Sequence, residues 1–149
     1  GNPGVSGTIS QSQGSIGYIG YEYAFAQKIP MAAVMNSAGF FIEPTLESFT
    51  AAADEEIPSD TRVMLTNSSN PAAYPITSFT WIIMYKELAY GKHSSEAAEA
   101  AVKTVRWLIS EEAQAIATSV HYAALPQNAS LQAEELLRGI TYQGQTVLK

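Results

Sequence analysis

A stretch with glycine at every third position, within residues 14–24, constrains the fold of this chain more than any other. Residues 16–19 are aromatic or β-branched apart from one glycine, which favours a short strand. The glycines permit positive φ or close backbone approach. From residue 21 to 27 the apolar spacing becomes helical. The stretch predicts a strand that passes directly into a helix, a common α/β joint, and says nothing about function by itself.

Further helices are predicted where a capping residue precedes a helical apolar spacing. They begin at Thr45, at Ser94 or Ser95 and at Ser110, and the last spans residues 131–138. The helix after the second of these caps has one continuous apolar stripe, which is typical of a helix packed on a core along one side.

Apolar, β-branched segments predict strands at residues 29–35, 40–42 and 74–86, with a turn between the first two. The run at 79–85 is apolar on both faces, which is typical of a central strand buried on both sides. A polar loop at 66–73 is the best candidate for a boundary between lobes.

A helix is also predicted near residues 5–11, with Asn2 as N-cap and Pro3 at the first helical position. Helix starts can bind anions through free N–H groups and the positive end of the helix dipole. The candidates for such a site are Asn2, Gly4, Ser6 and Thr8. A capped helix without a ligand is favoured over that interpretation, because N-caps are common.

Charge and residue usage exclude several classes of function. The chain has 8 Lys and Arg against 14 Asp and Glu, a net charge of −6, whereas nucleic-acid binding needs clustered basic residues. It has no cysteine, and therefore neither a disulfide nor a thiolate metal site. The longest uncharged apolar run, residues 79–85, is far too short to span a bilayer.

No motif of catalysis, cofactor binding or metal binding stands out. His93 and His121 lack a partner at zinc-motif spacing, so we expect surface or packing roles for both. The acidic residues of 54–60 do not have the spacing of a calcium loop and predict a solvated loop. Neither a nucleophile elbow nor a dinucleotide fingerprint occurs. We therefore predict no enzyme, no metal and no cofactor.

Four motifs occur in an order found in one family. They read Gly-Asn-Pro-Gly-Val at 1–5, Gly-Ser-Ile-Gly-Tyr-Ile-Gly-Tyr-Glu-Tyr-Ala at 14–24, Tyr-Pro-Ile-Thr-Ser-Phe-Thr at 74–80 and His-Tyr-Ala-Ala-Leu-Pro at 121–126. Together they resemble the phosphate-binding proteins that feed ABC phosphate transporters. The resemblance covers nearly all of this chain but only the C-terminal half or so of such a protein.

This resemblance implies an α/β fold, the C-terminal part of a two-lobed, periplasmic-binding-protein-like fold with mixed sheets flanked by helices. Residues 1–73 would form part of the second lobe. Residues 74–149 would supply a crossover strand and the C-terminal helices that return to the first lobe. The hinge of lobe closure would lie at Ile76, Thr77 and Ser78, whose backbone would absorb the change in φ and ψ.

The family's phosphate ligands are a threonine with its following amide, a serine, an aspartate, and an arginine followed by Ser-Gly-Thr. None can be placed here, since Arg62, Arg106 and Arg138 are not followed by those letters. Ser-Gly-Thr does occur at 6–8, but at a place where the family has mid-helix residues. We expect this chain alone to bind phosphate weakly or not at all, with ligands supplied by a missing N-terminal half or a partner chain.

The implied function is phosphate-specific solute binding for an ABC permease, in the periplasm or at the cell surface. An export signal or lipid anchor would lie upstream of Gly1. The strands that flank residues 79–85 would come largely from the missing half, which predicts an exposed apolar edge and a possible homodimer. The alternative is a binding-protein-like sensor, adhesin or structural surface module without a transport role.

Overall fold

Helices form most of the regular structure in the computed structural model, which describes residues 1–148. The elements in chain order are α1 (Asn2–Gln11), α2 (Tyr21–Ala26), β1 (Val34–Met35), β2 (Phe41–Ile42), α3 (Leu46–Ala52), α4 (Ser95–Leu108), α5 (Glu111–Ser119), α6 (Gln127–Arg138), β3 (Thr141–Tyr142) and β4 (Gln145–Thr146). Strand β1 pairs antiparallel with β2, and β3 with β4. The α/β composition is as predicted, with the sheets of the described residues limited to these two hairpins.

The helix starts follow the predicted capping residues. At α3 the Ser48 N–H donates to Thr45 Oγ1 at 3.2 Å, and the Thr45 N–H donates to Ser48 Oγ at 2.9 Å, a reciprocal capping box. The hydroxyls of Ser94 and Ser110 accept from the third backbone N–H of α4 and α5. Helix α6 ends at Gly139 as predicted but begins earlier than expected.

The start of α1 differs from the prediction. Its N-cap is Gly1, and no side chain makes the capping bond, so the prediction of Asn2 as the cap is wrong. The reason is that the Gly1 carbonyl already accepts from the N–H groups of Gly4 and Val5, at 3.0 and 3.2 Å, which closes the first turn one residue earlier. Pro3 lies within this turn, where its missing N–H costs little.

The strand predicted over residues 16–19 is not formed, although α2 follows as expected. Gly14 has a φ of 77°, the left-handed conformation that glycine adopts without strain. A Cβ on Gly17 would lie 2.8 Å from Ile9 Cδ1, so the chain passes close against α1 there. Ile16 is 98% exposed, and no strand of the described residues pairs with this stretch. Apolar spacing alone therefore did not produce a strand.

The β1–β2 hairpin forms where strands were predicted, although β1 is shorter than expected. Asn36 begins the turn between them, and its side-chain oxygen accepts from the N–H groups of Ala38 and Phe40, both at 3.1 Å. Its side-chain nitrogen donates to the carbonyls of Pro71 and Ala73, at 2.9 and 3.2 Å. One buried asparagine thus fastens this hairpin to the polar loop.

The buried central strand predicted within residues 74–86 is absent. Residues 76–85, which we name the apolar segment, make no backbone–backbone hydrogen bond with any described residue. Ile83 is 94% exposed, and Trp81 is about half exposed. The prediction fails because a strand needs a neighbouring strand to hydrogen-bond with its backbone N–H and C=O groups. No such strand lies beside this segment in the described chain. The exposed apolar edge that we expected is present.

A second hairpin, β3–β4, lies in the tail, where the sequence showed little pattern. Its two-residue turn consists of Gln143 and Gly144, with φ of 51° and 74°. Two consecutive positive φ angles fit a type I′ turn, whose twist matches that of the paired strands. The Gln-Gly pair between residues 141–142 and 145–146 is the signal that could have predicted it.

The larger hydrophobic core belongs to the second half of the chain. It consists of Leu88, Ala98, Val102, Leu137 and Ile140. The first half buries mainly alanines, with Leu65 as its largest buried hydrophobic side chain. Few large side chains are buried in either half, so the stability of the fold depends on a small core.

The exposed area is large for a chain of this mass. The chain exposes 10128 Å², whereas a folded monomer of 16.0 kDa exposes about 7,400 Å². The excess is about 2,700 Å² of surface that a compact monomer would bury. Large exposed side chains are frequent in the apolar segment and include Ile76, Trp81, Ile82, Ile83 and Tyr85.

Candidate functional site

The anion candidates at the start of α1 lie on two different faces of that helix. Gly4 and Thr8 are exposed, and the Thr8 hydroxyl donates to the Gly4 carbonyl at 3.0 Å. Asn2 is half-buried and Ser6 is buried. Residues four apart share a helix face, whereas residues two apart do not. The structure therefore groups the candidates in two pairs and does not converge them on one point.

Several polar groups of these candidates are already hydrogen-bonded. The Gly4 N–H donates to the Gly1 carbonyl. The Ser6 hydroxyl donates to the Pro3 carbonyl at 3.1 Å and accepts from the side chain of Gln27 at 3.2 Å. An anion at this helix start would have to compete with those bonds. The bond from Gln27 joins α1 to the end of α2, a link that the sequence does not show.

The chain is anchored immediately before the predicted hinge. The Tyr74 N–H donates to the Ser48 carbonyl at 3.1 Å, and the Asn67 N–H donates to the Pro75 carbonyl at 2.8 Å. The Tyr74 ring packs edge-on against Phe49 with centroids 5.7 Å apart. Partial burial raises the pKa of the Tyr74 hydroxyl. These contacts fix where the apolar segment begins.

The predicted hinge residues Ile76, Thr77 and Ser78 come directly after this anchor. The Thr77 hydroxyl donates to the Tyr74 carbonyl at 2.8 Å, while Ile76 and Ser78 are exposed. No backbone–backbone hydrogen bond joins the three to another described residue. A hinge needs backbone that can change φ and ψ without losing such bonds. The hinge role stays a prediction.

Glu87 anchors the other end of the apolar segment through its carboxylate. The carboxylate accepts from the N–H groups of Ala89, Gln143 and Gly144 at 2.7, 2.9 and 3.1 Å. It also accepts from the Thr141 hydroxyl at 2.9 Å. These donors, above all the Ala89 N–H, lower the pKa of Glu87 to about 2, because each stabilises the ionised form. The side chain thus ties the chain after the segment to the β3–β4 hairpin.

Backbone bonds strengthen that second anchor. The Leu88 N–H donates to the Thr141 carbonyl, and the Thr141 N–H donates to the Lys86 carbonyl, both at 2.8 Å. The pattern is a single parallel bridge between Glu87 and Thr141. The apolar segment is therefore held at both ends and unpaired along its length.

A row of five aromatic rings runs from the first half of the chain to His121, two residues after the end of α5. Neighbouring centroids along Tyr74, Phe49, Tyr21, Phe25 and His121 lie 5.7, 5.1, 5.6 and 4.1 Å apart. His121 is in the left-handed conformation, with a φ of 68°. The packing role predicted for this histidine agrees with its place at the end of the row. Only the Tyr21–Phe25 contact, four residues apart on α2, could have been expected from spacing.

The three arginines of the chain form ion pairs with nearby carboxylates. Arg62 contacts Asp60 at 2.7 Å, and both side chains are exposed. Arg106 and Arg138 both contact Glu134, at 2.8 and 3.4 Å. These guanidinium groups stabilise contacts within the fold and do not converge on the α1 candidates.

Metal-binding groups do not assemble in the part of the chain that the structure describes: residues 1–148 contain no cluster of three or more His, Cys, Asp or Glu suited to a metal. His93 packs on Tyr90, with ring centroids 5.0 Å apart. In the acidic loop, Glu55 accepts from the Ser68 hydroxyl at 2.7 Å and the Ser69 N–H at 3.3 Å.

No helix within residues 1–148 is long and apolar enough to cross a bilayer.

An apolar cavity of about 460 Å³ lies between the apolar segment and helices α4 and α6. Its lining includes Phe79, Trp81, Met84, Val105 and Leu136. A dehydrated oxyanion needs several hydrogen-bond donors, whereas most of the lining is apolar and its few polar members, Thr61, Thr80 and Lys86, are joined by the carboxylate of Glu135. The cavity is therefore part of the uncovered apolar surface and not a phosphate site.

By its fold, the described chain is an α/β polypeptide in which the apolar segment is anchored at both ends and unpaired along its length. No family model matches the chain. Curated proteins named phosphate-binding protein PstS are similar to it. The one from Xylella fastidiosa (strain 9a5c) is 36% identical over 139 residues, which cover 90% of this chain and 36% of the relative. The one from Pasteurella multocida (strain Pm70) is 31% identical over 152 residues, 100% of this chain and 41% of the relative.

A third PstS, from Methanocaldococcus jannaschii, is 31% identical over 141 residues, 87% of this chain and 36% of the relative. The chain is therefore similar to part of a PstS phosphate-binding protein, as its motifs predicted. It spans 36% to 41% of the length of these curated relatives. The similarity extends over 87% to 100% of this chain, so it rests on the whole sequence and not on one motif.

Proposed function

We propose that this chain is part of the phosphate-capturing component of an ABC importer, which acts outside the cytoplasm and delivers inorganic phosphate to a membrane permease. The observation that carries the proposal is the similarity to PstS proteins over at least 85% of the chain. The four motifs in family order support it.

The proposed division places residues 1–73 in the second lobe and residues 74–149 in the return to the first. Two observations support it. The larger core draws all its buried residues from after residue 87. The apolar segment connects the two parts without a backbone hydrogen bond to any described residue, which suits a crossover with its hinge at Ile76, Thr77 and Ser78.

Phosphate would be held mainly by residues of the family that have no counterpart in this chain. Many N–H and O–H donors would replace the water around the dianion, and an arginine would bind it through two parallel bonds. A carboxylate would accept a hydrogen bond from the protonated oxygen of phosphate. Sulfate is fully deprotonated and cannot make that bond. The candidates on α1 would at most contribute to this set.

Calorimetric titration with inorganic phosphate tests the proposal in two arms. The full gene product that contains this sequence should bind phosphate with a dissociation constant in the micromolar range or below, and sulfate should not compete. The 149-residue chain alone should show weak binding or none. A full gene product that does not bind phosphate would overturn the proposal and favour the sensor, adhesin or surface-module alternative.

The second arm tests the placement of the ligands. Micromolar binding by the 149-residue chain would show that its own residues suffice. In that case Ser6→Ala, compared with Ser10→Ala on the same helix, would show whether the start of α1 takes part. Both hydroxyls donate to backbone carbonyls of α1, at 3.1 and 2.9 Å, so Ser10→Ala controls for the loss of that one bond.

A further inference from the structure

Helix α6 is joined to the acidic loop, residues 54–60, by two side-chain hydrogen bonds. The amide nitrogen of Asn128 donates to the Glu55 carbonyl at 2.9 Å, and that of Gln132 donates to the Ser59 carbonyl at 3.2 Å. Residues four apart share a helix face, so both amides lie on one face of α6. The two bonds therefore connect the chain before the predicted hinge with the chain after it.

The acidic loop is itself held by further hydrogen bonds. The Glu55 carboxylate accepts from the Ser68 hydroxyl at 2.7 Å and from the Ser69 N–H at 3.3 Å, which ties the acidic loop to the polar loop. The Asn67 N–H of the polar loop donates to the Pro75 carbonyl, directly before the hinge. Helix α6 thus contacts backbone that is already fixed, and such a contact costs less ordering than one to a free loop.

A second contact crosses the same boundary at another place. The ring of Phe25 on α2 lies 4.1 Å from that of His121, measured between centroids. His121 follows α5, so this contact also joins the chain before the hinge to the chain after it. Two separate contacts restrict the orientation of two bodies more than one does, because a single contact still permits rotation about itself.

We propose that Asn128 and Gln132 are positioning residues for phosphate capture: they hold the two proposed lobes in the relative orientation that binding needs, without contacting the ligand. The inference rests on the proposed function and on its division into lobes after residue 73. Lobes joined only at a hinge lose orientational freedom when they close on a ligand, and that loss weakens binding. The two amides reduce the loss because they limit the orientations of the free protein.

Asn128→Asp removes one donor at almost constant shape. The new carboxylate oxygen would face the Glu55 carbonyl oxygen beside an acidic loop, so the contact should open. The bond from the Ala129 N–H to the side-chain oxygen of residue 128, at 2.9 Å, is kept. In calorimetric titration of the full gene product, the dissociation constant for inorganic phosphate should rise about 5-fold, as for one lost hydrogen bond of average strength. Adding Gln132→Glu should weaken binding further.

The matched control is Gln127→Glu, which should leave the affinity unchanged. Gln127 precedes Asn128 in the first turn of α6 and is exposed. Both variants add one negative charge at the start of the helix, where the helix dipole stabilises it, so neither should unfold α6.

A distance measurement separates positioning from a merely structural role. Cysteines that replace Thr50 on α3 and Ala100 on α4, both exposed, carry one spin label on each proposed lobe. In the phosphate-free full gene product, Asn128→Asp should broaden the distribution of label distances, whereas Gln127→Glu should not.

Unchanged affinity and unchanged distances in Asn128→Asp would overturn the proposal. So would equal losses of affinity in Asn128→Asp and Gln127→Glu, or weaker binding with unchanged distances, since the amide would then not act by positioning. An unaltered gene product that does not bind phosphate would refute the proposed function instead, and the label distances would still test whether the contact orients the two parts.

Discussion

Replacing Leu137 by alanine tests whether the small core of the second half holds the fold together. Leu137 is 4% exposed and packs with Leu88, Val102 and Ile140. The change removes about three methylene equivalents, worth about 2.4 kcal/mol at about 0.8 kcal/mol each. The cavity left behind adds to that loss. Since Leu137 also borders the open apolar cavity, neighbouring side chains can relax into the space, and we expect a total of about 3 kcal/mol.

Urea unfolding followed by circular dichroism measures this loss. With a slope of roughly 1–3 kcal/mol per molar urea, the midpoint should fall by roughly 1–3 M. The slope itself should not change, because the same surface is exposed on unfolding. The loss would be a large part of the stability of a domain, which is typically about 5–15 kcal/mol. The measurement belongs at a concentration where each sample is a single species.

The matched control is Leu131→Ala on the same helix. Leu131 is 64% exposed, so its truncation should change the free energy of unfolding by less than about 0.5 kcal/mol. Equal effects of the two variants would refute the reasoning, because burial would then not distinguish the two leucines. If the unaltered chain unfolds without a cooperative transition, the premise that this core folds by itself is wrong.

Two other substitutions test single contacts. Glu87→Gln should flatten the acid dependence of stability: the carboxylate contributes fully above its ordinary pKa of 4.5, and its contribution is lost as the pH falls through about 2. Urea midpoints measured between pH 6 and 2 test this, with Glu135→Gln on α6 as the control. If Glu87→Gln leaves the pH profile unchanged, Glu87 does not anchor the chain as described. Thr45→Ala should cost about 1 kcal/mol by removing half of the capping box, whereas Thr50→Ala, whose hydroxyl donates within α3, should cost less than about 0.5 kcal/mol. Equal losses in urea unfolding would show that the cap is not important.

Helix positions were the most predictable part of the fold, because their signals are local. The capping hydroxyls of Thr45, Ser94 and Ser110 lie within three residues of the N–H groups that they accept from. The end of α6 at Gly139 is likewise set by a local signal. The cap of α1 was missed because the carbonyl of Gly1, a backbone group that every residue carries, closes the first turn.

Little of the candidate site could be predicted from spacing. The bond from Gln27 to Ser6 joins residues 21 positions apart, and Glu87 meets Gly144 across 57 positions. No sequence periodicity encodes such contacts. The family itself could be predicted, because its motifs are short runs of letters whose order does not depend on how the chain folds.

The sequence by itself determined where α3, α4 and α5 start, where α6 ends, and to which family of proteins the chain is similar. The tertiary structure decided whether the apolar residues 16–19 and 76–85 become strands, and in the described chain they do not. The physical reason is that a helix satisfies its backbone groups within its own residues, whereas a strand must find a partner elsewhere.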